Sequence, residues 1–163
     1  AGNVIGGGDW SEDRLVPDFL RSLDNDQVLD IRSPHAVRPW QHVLEPLSGY
    51  IKLGEKLILE SSGFAEAWNF GPREFDVKPV SWVVECLAQK APAARWRIDN
   101  SSYFQEADVL KLDSTKARVK LGWCSRWSLE TALAKTADWH EAWRSGEAMD
   151  ALSLQQIESY DTE

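Results

Sequence analysis

The chain has 163 residues, a formal net charge of −8, and 43% hydrophobic and 27% charged residues. This length fits one domain, residues 1–163, with enough chain to bury a core, and the composition indicates a globular protein rather than a disordered one. The negative charge and the scattered Lys and Arg residues argue against a nucleic-acid partner. No apolar run approaches the ~20 residues of a membrane span, so we expect no membrane partner either.

A short strand, a helix and a second strand are predicted first. Gly2–Ile5 has the pattern of a buried strand that runs into a glycine turn. Pro17 suits the first turn of a helix that extends to about Asn25, because the missing N–H of proline has no partner there in any case. Val28–Ile31 is predicted as a short strand, and Ser33-Pro34 ends it.

The longest helical pattern extends from Val43 to about Leu59. Pro46 is tolerated near its beginning, and Ser61-Ser62-Gly63 is predicted to end it. Apolar or small residues recur there at steps of three and four, which predicts one stripe of an amphipathic helix: Leu44, Leu47, Ile51, Gly54 and Ile58.

The second half of the sequence alternates between strand and helix patterns. The predicted strands are Ala67–Phe70, Trp96–Ile98 and Val109–Leu112. The predicted helices are Pro79–Lys90, a segment capped by Asp113 and ended by Gly122, a segment capped by Ser128, and Met149–Tyr160, whose last residues should fray. This alternation predicts the α/β class.

Cysteines, histidines and tryptophans give weaker indications. Cys86 and Cys124 have no metal or redox spacing, which favours reduced thiols in a cytoplasmic protein, and the three histidines suggest no metal set. Trp10, Trp40 and Trp123 lie beside glycines, prolines or turn signals. Tryptophans in loops indicate either a shaped cleft or interface, or plain filling of the core, and the sequence leaves both open.

Two long strings carry a resemblance to known proteins. They are Ala1–Trp10 (AGNVIGGGDW) and Arg38–Leu47 (RPWQHVLEPL), and later blocks follow in order at Ala67–Pro72 and Leu112–Trp127. Together they closely resemble the CDP-glucose 4,6-dehydratases, sugar-nucleotide enzymes of the extended short-chain dehydrogenase/reductase type. The resemblance implies an α/β fold that is the C-terminal, substrate-binding part of such an enzyme and lacks most of the Rossmann sheet.

The resemblance also implies that the catalytic machinery lies in an N-terminal NAD-binding domain that this chain does not contain. Gly6-Gly7-Gly8 lacks the glycine spacing of a dinucleotide fingerprint. None of Tyr50, Tyr103 and Tyr160 has the lysine four residues later that marks the superfamily's catalytic tyrosine. We therefore predict no catalytic and no cofactor-binding residue here, with NAD belonging to the complete enzyme, and we expect His42 to be a packed residue.

Five substrate-binding residues are implied by the resemblance. Asn3 matches an asparagine near the substrate's phosphates, and Arg38 matches an arginine that grips the diphosphate, for which a guanidinium fork is well suited. Arg14 aligns with a basic position near the nucleotide, Arg32 is placed near ribose or phosphate, and Asn69 resembles a residue that faces the site. The alternatives are a turn asparagine for Asn3, solvated charges for the arginines and a strand-terminating residue for Asn69.

The sequence therefore favours the C-terminal part of a CDP-glucose 4,6-dehydratase, inactive alone, with CDP-glucose or a related nucleotide sugar as its ligand. One alternative is a free-standing, non-catalytic binding or interaction module from a truncated gene. Another is part of a different nucleotide-sugar dehydratase or epimerase. Because strands at Gly2–Ile5 and Trp68–Phe70 would lack neighbours, we also expect a homo-oligomer formed through exposed strand edges.

Overall fold

The computed structural model describes residues 1–60, 63–99 and 107–162. The strands of this part are β1 (Asn3–Ile5), β2 (Val28–Ile31), β3 (Val37–Arg38), β4 (Trp40–His42), β5 (Lys78–Pro79) and β6 (Arg95–Ile98). The α-helices are α1 (Leu15–Asp24), α2 (Leu44–Glu60), α3 (Val80–Lys90), α4 (Thr115–Leu121), α5 (Leu129–Arg144) and α6 (Met149–Thr162). A short 3-10 turn lies at Glu74–Asp76.

The strands pair two by two and do not form one large sheet. β1 pairs with β4 in parallel, with Asn3 opposite Trp40 and Ile5 opposite His42. β2 and β6 form a second parallel pair, and β3 and β5 form an antiparallel pair. The fold is therefore mixed α/β, and most of a Rossmann sheet is absent from the described residues, as the resemblance implied.

Two apolar clusters hold these elements together. The larger one packs α1, α3 and α5 around β1, β2 and β4, and its buried side chains include Ile5, Phe19, Leu29, Ile31, Trp40, Val83, Val84, Leu87, Leu129 and Leu133. The smaller one packs Phe70 and Trp123 against α4. Trp40 and Trp123 are thus core residues, whereas Trp10 is half exposed.

The predicted helices are confirmed, because each has a strong 3.6-residue pattern or a clear end signal. The Oγ atom of Ser128 accepts a hydrogen bond from the backbone N–H of Thr131 at 3.1 Å and caps α5. Gly122 ends α4 in the left-handed conformation with φ 59°. One cap differs from the prediction: Ser114, not Asp113, is the N-cap residue of α4, although Asp113 accepts a hydrogen bond from the N–H of Thr115 at 2.8 Å.

Two predicted strands are wrong. Ala67–Phe70 has no regular secondary structure and is not part of a sheet, and Phe70 is buried by side-chain packing instead. Val109 makes one isolated bridge to Val37, and the rest of Val109–Leu112 is irregular. A strand requires a hydrogen-bonding neighbour as well as a suitable sequence, and no described strand lies beside either segment along its length. The exposed edge predicted at Trp68–Phe70 is therefore absent.

The C-terminal helix also differs from the prediction, because its last turn is anchored. Tyr160 is only 3% exposed, and α6 continues to Thr162. Burial of an aromatic ring near the end of a helix opposes fraying.

The predicted apolar stripe of α2 is present, but it faces outward. The buried residues of α2 are Glu45, Pro46 and Gly49, on the opposite side of the helix. Leu47, Ile51 and Ile58 are 44%, 65% and 84% exposed. The predicted end of α2 at Ser61-Ser62 lies outside the described residues. Neither α2 nor any other helix in the described ranges has both the length and the apolar character to cross a membrane.

The two glycines of α2 provide a matched test of packing. A Cβ atom at Gly49 would lie 2.3 Å from the Phe70 ring, whereas one at Gly54 would meet nothing within 4 Å. Alanine raises helix stability by about 0.5–1 kcal/mol at either position, but overpacking at Gly49 costs about 1–3 kcal/mol. We expect Gly49→Ala to lower and Gly54→Ala to raise the free energy of unfolding, measured by urea denaturation. A stabilised Gly49→Ala variant would contradict this packing.

Candidate functional site

A cavity of about 500 Å³ opens beside β1 and the beginning of α1. This volume is in the usual range of roughly 300–1,000 Å³ for small-molecule sites. We call this cavity the β1 pocket; its lining residues are Gly2, Asn3, Val4, Ile5, Asp9, Asp13, Arg14, Leu15, Val16, Pro17, Arg38, Trp40 and Val80. Backbone and apolar side chains supply the walls, and the charged residues lie among them.

Three of the five predicted binding residues line this pocket: Asn3, Arg14 and Arg38. Arg32 lies in a shallower adjoining depression that shares Asp13 with the pocket. Asn69 does not line the pocket; it is exposed and directly precedes the buried Phe70. The fold thus gathers four of the five residues into one region and leaves Asn69 apart, while their roles in binding stay predictions.

The pairing of β1 with β4 brings the first pocket residues together. The N–H of Asn3 donates to the carbonyl oxygen of Pro39 at 2.9 Å, which joins β1 to the segment that carries Arg38. A Cβ atom at Gly2 would lie 2.3 Å from the same Pro39 oxygen, so this close approach requires glycine. The indole N–H of Trp40 donates to the carbonyl of Lys78 at 3.2 Å and fixes the pocket wall to β5.

The Arg38 side chain is oriented by backbone carbonyl groups. Its Nη1 atom donates to the carbonyl oxygens of Val37 at 2.9 Å and of Ala107 at 2.7 Å. The side chain is only partly exposed, so its guanidinium is held against the pocket rather than extended into solvent. A planar guanidinium fixed in this way can present hydrogen-bond donors to phosphate oxygens.

Two aspartates balance the arginines of this region, and the sequence interpretation missed both. The Oδ2 atom of Asp9 lies 3.5 Å from Nη1 of Arg14, and the Oδ1 atom of Asp13 lies 3.6 Å from Nη2 of Arg32. Burial alone would raise the pKa of Asp9, but hydrogen bonds from Ser11 and the charge of Arg14 outweigh it and lower that pKa. Asp9 is therefore a carboxylate at neutral pH. Acidic residues that precede Arg14 within residues 9–14 are the sequence signal for this arrangement.

The glycine run Gly6-Gly7-Gly8 does not fit the pyrophosphate of NAD. A Cβ atom at Gly7 would lie 2.2 Å from the indole ring of Trp139, and Gly8 also packs beside this ring. The run therefore accommodates a tryptophan of α5, in the space where a nucleotide-binding loop would present its backbone N–H groups to phosphate. These residues offer no cradle for the cofactor.

A buried carboxylate, Glu45, organises the opposite end of the β1–β4 pair. It is 1% exposed and accepts hydrogen bonds from the N–H groups of Arg126 and Trp127 and from the hydroxyl of Tyr160 at 2.7 Å. Burial raises the pKa of Glu45, although these hydrogen bonds oppose the increase. Because it is enclosed and fully occupied by protein donors, Glu45 acts as a structural anchor.

Tyr160 lacks the environment of a catalytic base. Burial, together with the neighbouring Glu45 carboxylate, raises the pKa of Tyr160, whereas a proton-abstracting tyrosine requires a lowered pKa. Tyr50 packs edge-on against Phe70, with ring centroids 5.4 Å apart. The third tyrosine of the sequence, Tyr103, lies outside the described residues.

His42 is a buried, neutral side chain at the end of β4. It is 2% exposed, and its Nδ1 atom accepts a hydrogen bond from the N–H of Leu44 at 3.3 Å. Burial, with a smaller contribution from the charge of Lys135, lowers the pKa of His42 to about 4. Across residues 1–60, 63–99 and 107–162, no cluster of three His, Cys, Asp or Glu residues could hold a metal ion.

The sequence of this chain is homologous to a sugar-nucleotide enzyme. It is 49% identical over 161 residues to CDP-glucose 4,6-dehydratase from Salmonella typhimurium (strain LT2), and the match covers 98% of this chain. The match lies in the C-terminal part of that relative and spans 45% of its length, so the chain is less than half as long as the relative. No family model matches the chain.

Solved structures of nucleotide-sugar enzymes share the fold. UDP-glucuronic acid 4-epimerase from Bacillus cereus, in complex with UDP-glucuronic acid and NAD, has a TM-score of 0.70 at 18% identity and covers 86% of this chain and 43% of its own. The NAD-dependent NDP-hexosamine 5,6-dehydratase TunA has a TM-score of 0.69 at 21% identity, covering 91% and 45%. A UDP-glucose-4-epimerase from Stenotrophomonas maltophila with bound NAD and formylated UDP-arabinopyranose has a TM-score of 0.73 at 16% identity, covering 89% and 47%.

The buried state of His42 predicts a pH-dependent loss of stability. Its pKa falls from an ordinary 6.5 to about 4 on folding, so the unfolded chain binds more protons between these values and stability decreases as the pH falls. From pH 7 to pH 5 the expected contribution is about 2 kcal/mol. Urea unfolding at both pH values should show a loss of stability that is larger in the wild type than in His42→Asn by this amount. The remaining titrating groups contribute equally to both proteins and cancel in the comparison. An equal loss in the variant would contradict a buried neutral histidine.

Proposed function

We propose that this chain is the nucleotide-sugar-binding C-terminal part of a CDP-glucose 4,6-dehydratase. The observation that carries the proposal is the β1 pocket, in which Asn3, Arg14 and Arg38 line a cavity of about 500 Å³. The 49% identity to the C-terminal part of such an enzyme supports it independently of the pocket. The ligand that we propose is CDP-glucose or a closely related nucleotide sugar.

The pocket chemistry suits the diphosphate of such a ligand. Arg38 is oriented by two backbone carbonyl groups, and Arg14 and Arg32 lie beside Asp9 and Asp13. A diphosphate carries its charge on several oxygens, so it can accept paired hydrogen bonds from more than one guanidinium group. A single carboxylate offers a guanidinium fewer acceptor oxygens. We propose that the ligand's phosphates replace Asp9 as the partner of Arg14 and Asp13 as the partner of Arg32.

The complete enzyme would carry out the dehydration with NAD. When bound in the complete enzyme, NAD would supply the reversible hydride transfer that this loss of water from the hexose requires. The described residues here supply binding and not this chemistry, because Trp139 packs into the glycine run and the pKa of Tyr160 is raised. NAD is present with the sugar nucleotide in the structures of the Bacillus cereus epimerase and the Stenotrophomonas maltophila epimerase, which supports NAD as the cofactor of the complete enzyme.

Among nucleotide-sugar enzymes, the CDP-glucose 4,6-dehydratases are the best candidates for the parent protein. The identity of 49% to that relative contrasts with 16–21% to the epimerases and the hexosamine dehydratase, which share the fold. We further propose a cytoplasmic location, where Cys86 and Cys124 would remain free thiols. Formation of a homo-oligomer stays a prediction; one strand edge available to it is that of β1, which pairs with β4 alone among the described strands.

Calorimetric titration tests the proposed ligand directly. We expect the chain to bind CDP-glucose more tightly than UDP-glucose, and Arg38→Ala to weaken CDP-glucose binding by about tenfold or more, because charge-assisted hydrogen bonds to phosphate are lost. Arg118→Ala, which removes an arginine that bonds Thr115 on α4 away from the pocket, is the matched control and should bind like the wild type. The unfolding transition of each variant checks that the fold is retained.

The titration has clear opposing outcomes. Absence of binding at millimolar CDP-glucose, or equal affinities of Arg38→Ala and the wild type, would contradict the proposed use of the β1 pocket. Equal affinities for CDP-glucose and UDP-glucose would contradict the assignment to cytidine nucleotides.

A further inference from the structure

Helix α2 has a second apolar face, and this face is uncovered. We call Leu47, Ile51, Gly54 and Ile58 the α2 outer face; these residues follow one another at steps of three or four and therefore lie on one stripe of the helix. The three large side chains of this face are 44%, 65% and 84% exposed. A soluble helix ordinarily directs its apolar stripe inward, so an outward stripe of this length indicates a surface that another element covers.

Gly54 is a second and independent indication of a covering element. It lies in the interior of α2 within the apolar stripe, where glycine weakens a helix relative to alanine. Within the described chain nothing requires glycine there, since a Cβ atom would meet no atom within 4 Å. Gly49, in contrast, is required by its contact with the Phe70 ring, 2.3 Å from a Cβ atom at that position. A small residue at Gly54 allows another backbone or side chain to approach α2 closely.

The surroundings of this face offer further contact surface. A groove of about 720 Å³ runs between α2 and α6 and includes Leu47, Ile51 and Ile157. Ile157 and the neighbouring Leu154 on α6 are also exposed, at 42% and 60%. The outer face of α2 therefore continues into an apolar groove with charged residues at its rim, among them Lys52, Glu55 and Asp161.

The length of the relative indicates what covers this surface. The chain matches the C-terminal part of CDP-glucose 4,6-dehydratase and spans 45% of it, so more than half of that protein lies in its preceding part. α2 begins beside β1, since the N–H of Val43 donates to the carbonyl of Ile5 at 2.8 Å, and the second edge of β1 has no partner among the described strands. An open parallel strand and an uncovered helix face therefore lie at neighbouring positions, as at a boundary through an α/β domain.

We propose that the α2 outer face is the surface on which the N-terminal, NAD-binding half of the enzyme docks, whether that half is on the same polypeptide or on another. Leu47, Ile51 and Ile58 contact the N-terminal half, and Gly54 marks the point of closest approach. This assignment depends on the homology and on the exposed face, not on ligand affinity, so failure of the CDP-glucose titration would leave it intact.

The test compares the 163-residue chain with a fusion in which the N-terminal part of the Salmonella typhimurium relative precedes it. Hydrogen exchange of residues 47–58 should be at least about tenfold slower in the fusion, because docking buries this side of α2. Ile58→Arg should leave the unfolding midpoint of the chain alone almost unchanged, and Gly54→Leu should raise it slightly, because leucine favours a helix more than glycine does. Both substitutions should lower the unfolding midpoint of the fusion. Val119→Arg, at an apolar α4 position that is 77% exposed, is the matched control and should lower neither.

Three results would overturn the proposal. The first is equal exchange of residues 47–58 in the fusion and in the chain alone. The second is an Ile58→Arg effect on the fusion no larger than that of Val119→Arg. The third is protection of the same residues in the chain alone that increases with protein concentration and is lost in Ile58→Arg, which would identify a second copy of this chain as the occupant.

Discussion

The parallel pairing of β1 with β4 is the constraint on which the other features depend. Backbone hydrogen bonds from Asn3 to Pro39 and from Val43 to Ile5 close both ends of this pair, and glycine at position 2 permits the close approach. At one end the pair brings residues 2–5 and residue 38 to the same pocket, across the intervening chain of residues 6–37. At the other end it starts α2, so that one short ladder positions both the binding residues and the helix that we propose as a docking surface.

Glu45 extends this constraint to the C-terminal part of the chain. Its carboxylate receives the N–H groups of Arg126 and Trp127 and the hydroxyl of Tyr160, and so joins α2, the segment before α5 and α6. Removing one partner of such a buried charge leaves it uncompensated, which is strongly destabilising. The anchor holds α6 beside the inner side of α2, and the outer side of α2 stays exposed.

Local sequence signals predicted the helices well, because periodicity and caps such as Ser128 and Gly122 act over a few residues. Ala67–Phe70 could not be predicted correctly in this way, since strand formation depends on a distant partner. The same pattern rules identified the stripe at Leu47 and Ile51 but not its orientation, because periodicity does not show which apolar face meets the core. Family resemblance indicated the pocket arginines, whereas the pairing of Asp9 with Arg14 was identified from the three-dimensional arrangement.

We propose a division of function between two parts, in which this chain would bind the nucleotide sugar and the preceding half of the complete enzyme would supply the cofactor and the catalytic residues. Backbone amide NMR spectra of the chain, recorded with and without CDP-glucose, test the proposed binding role most directly. We expect ligand-induced shifts to concentrate at residues 2–5, 14–16 and 38–40, which line or adjoin the β1 pocket. Shifts confined to the groove between α2 and α6, or no shifts at saturating ligand, would contradict this role.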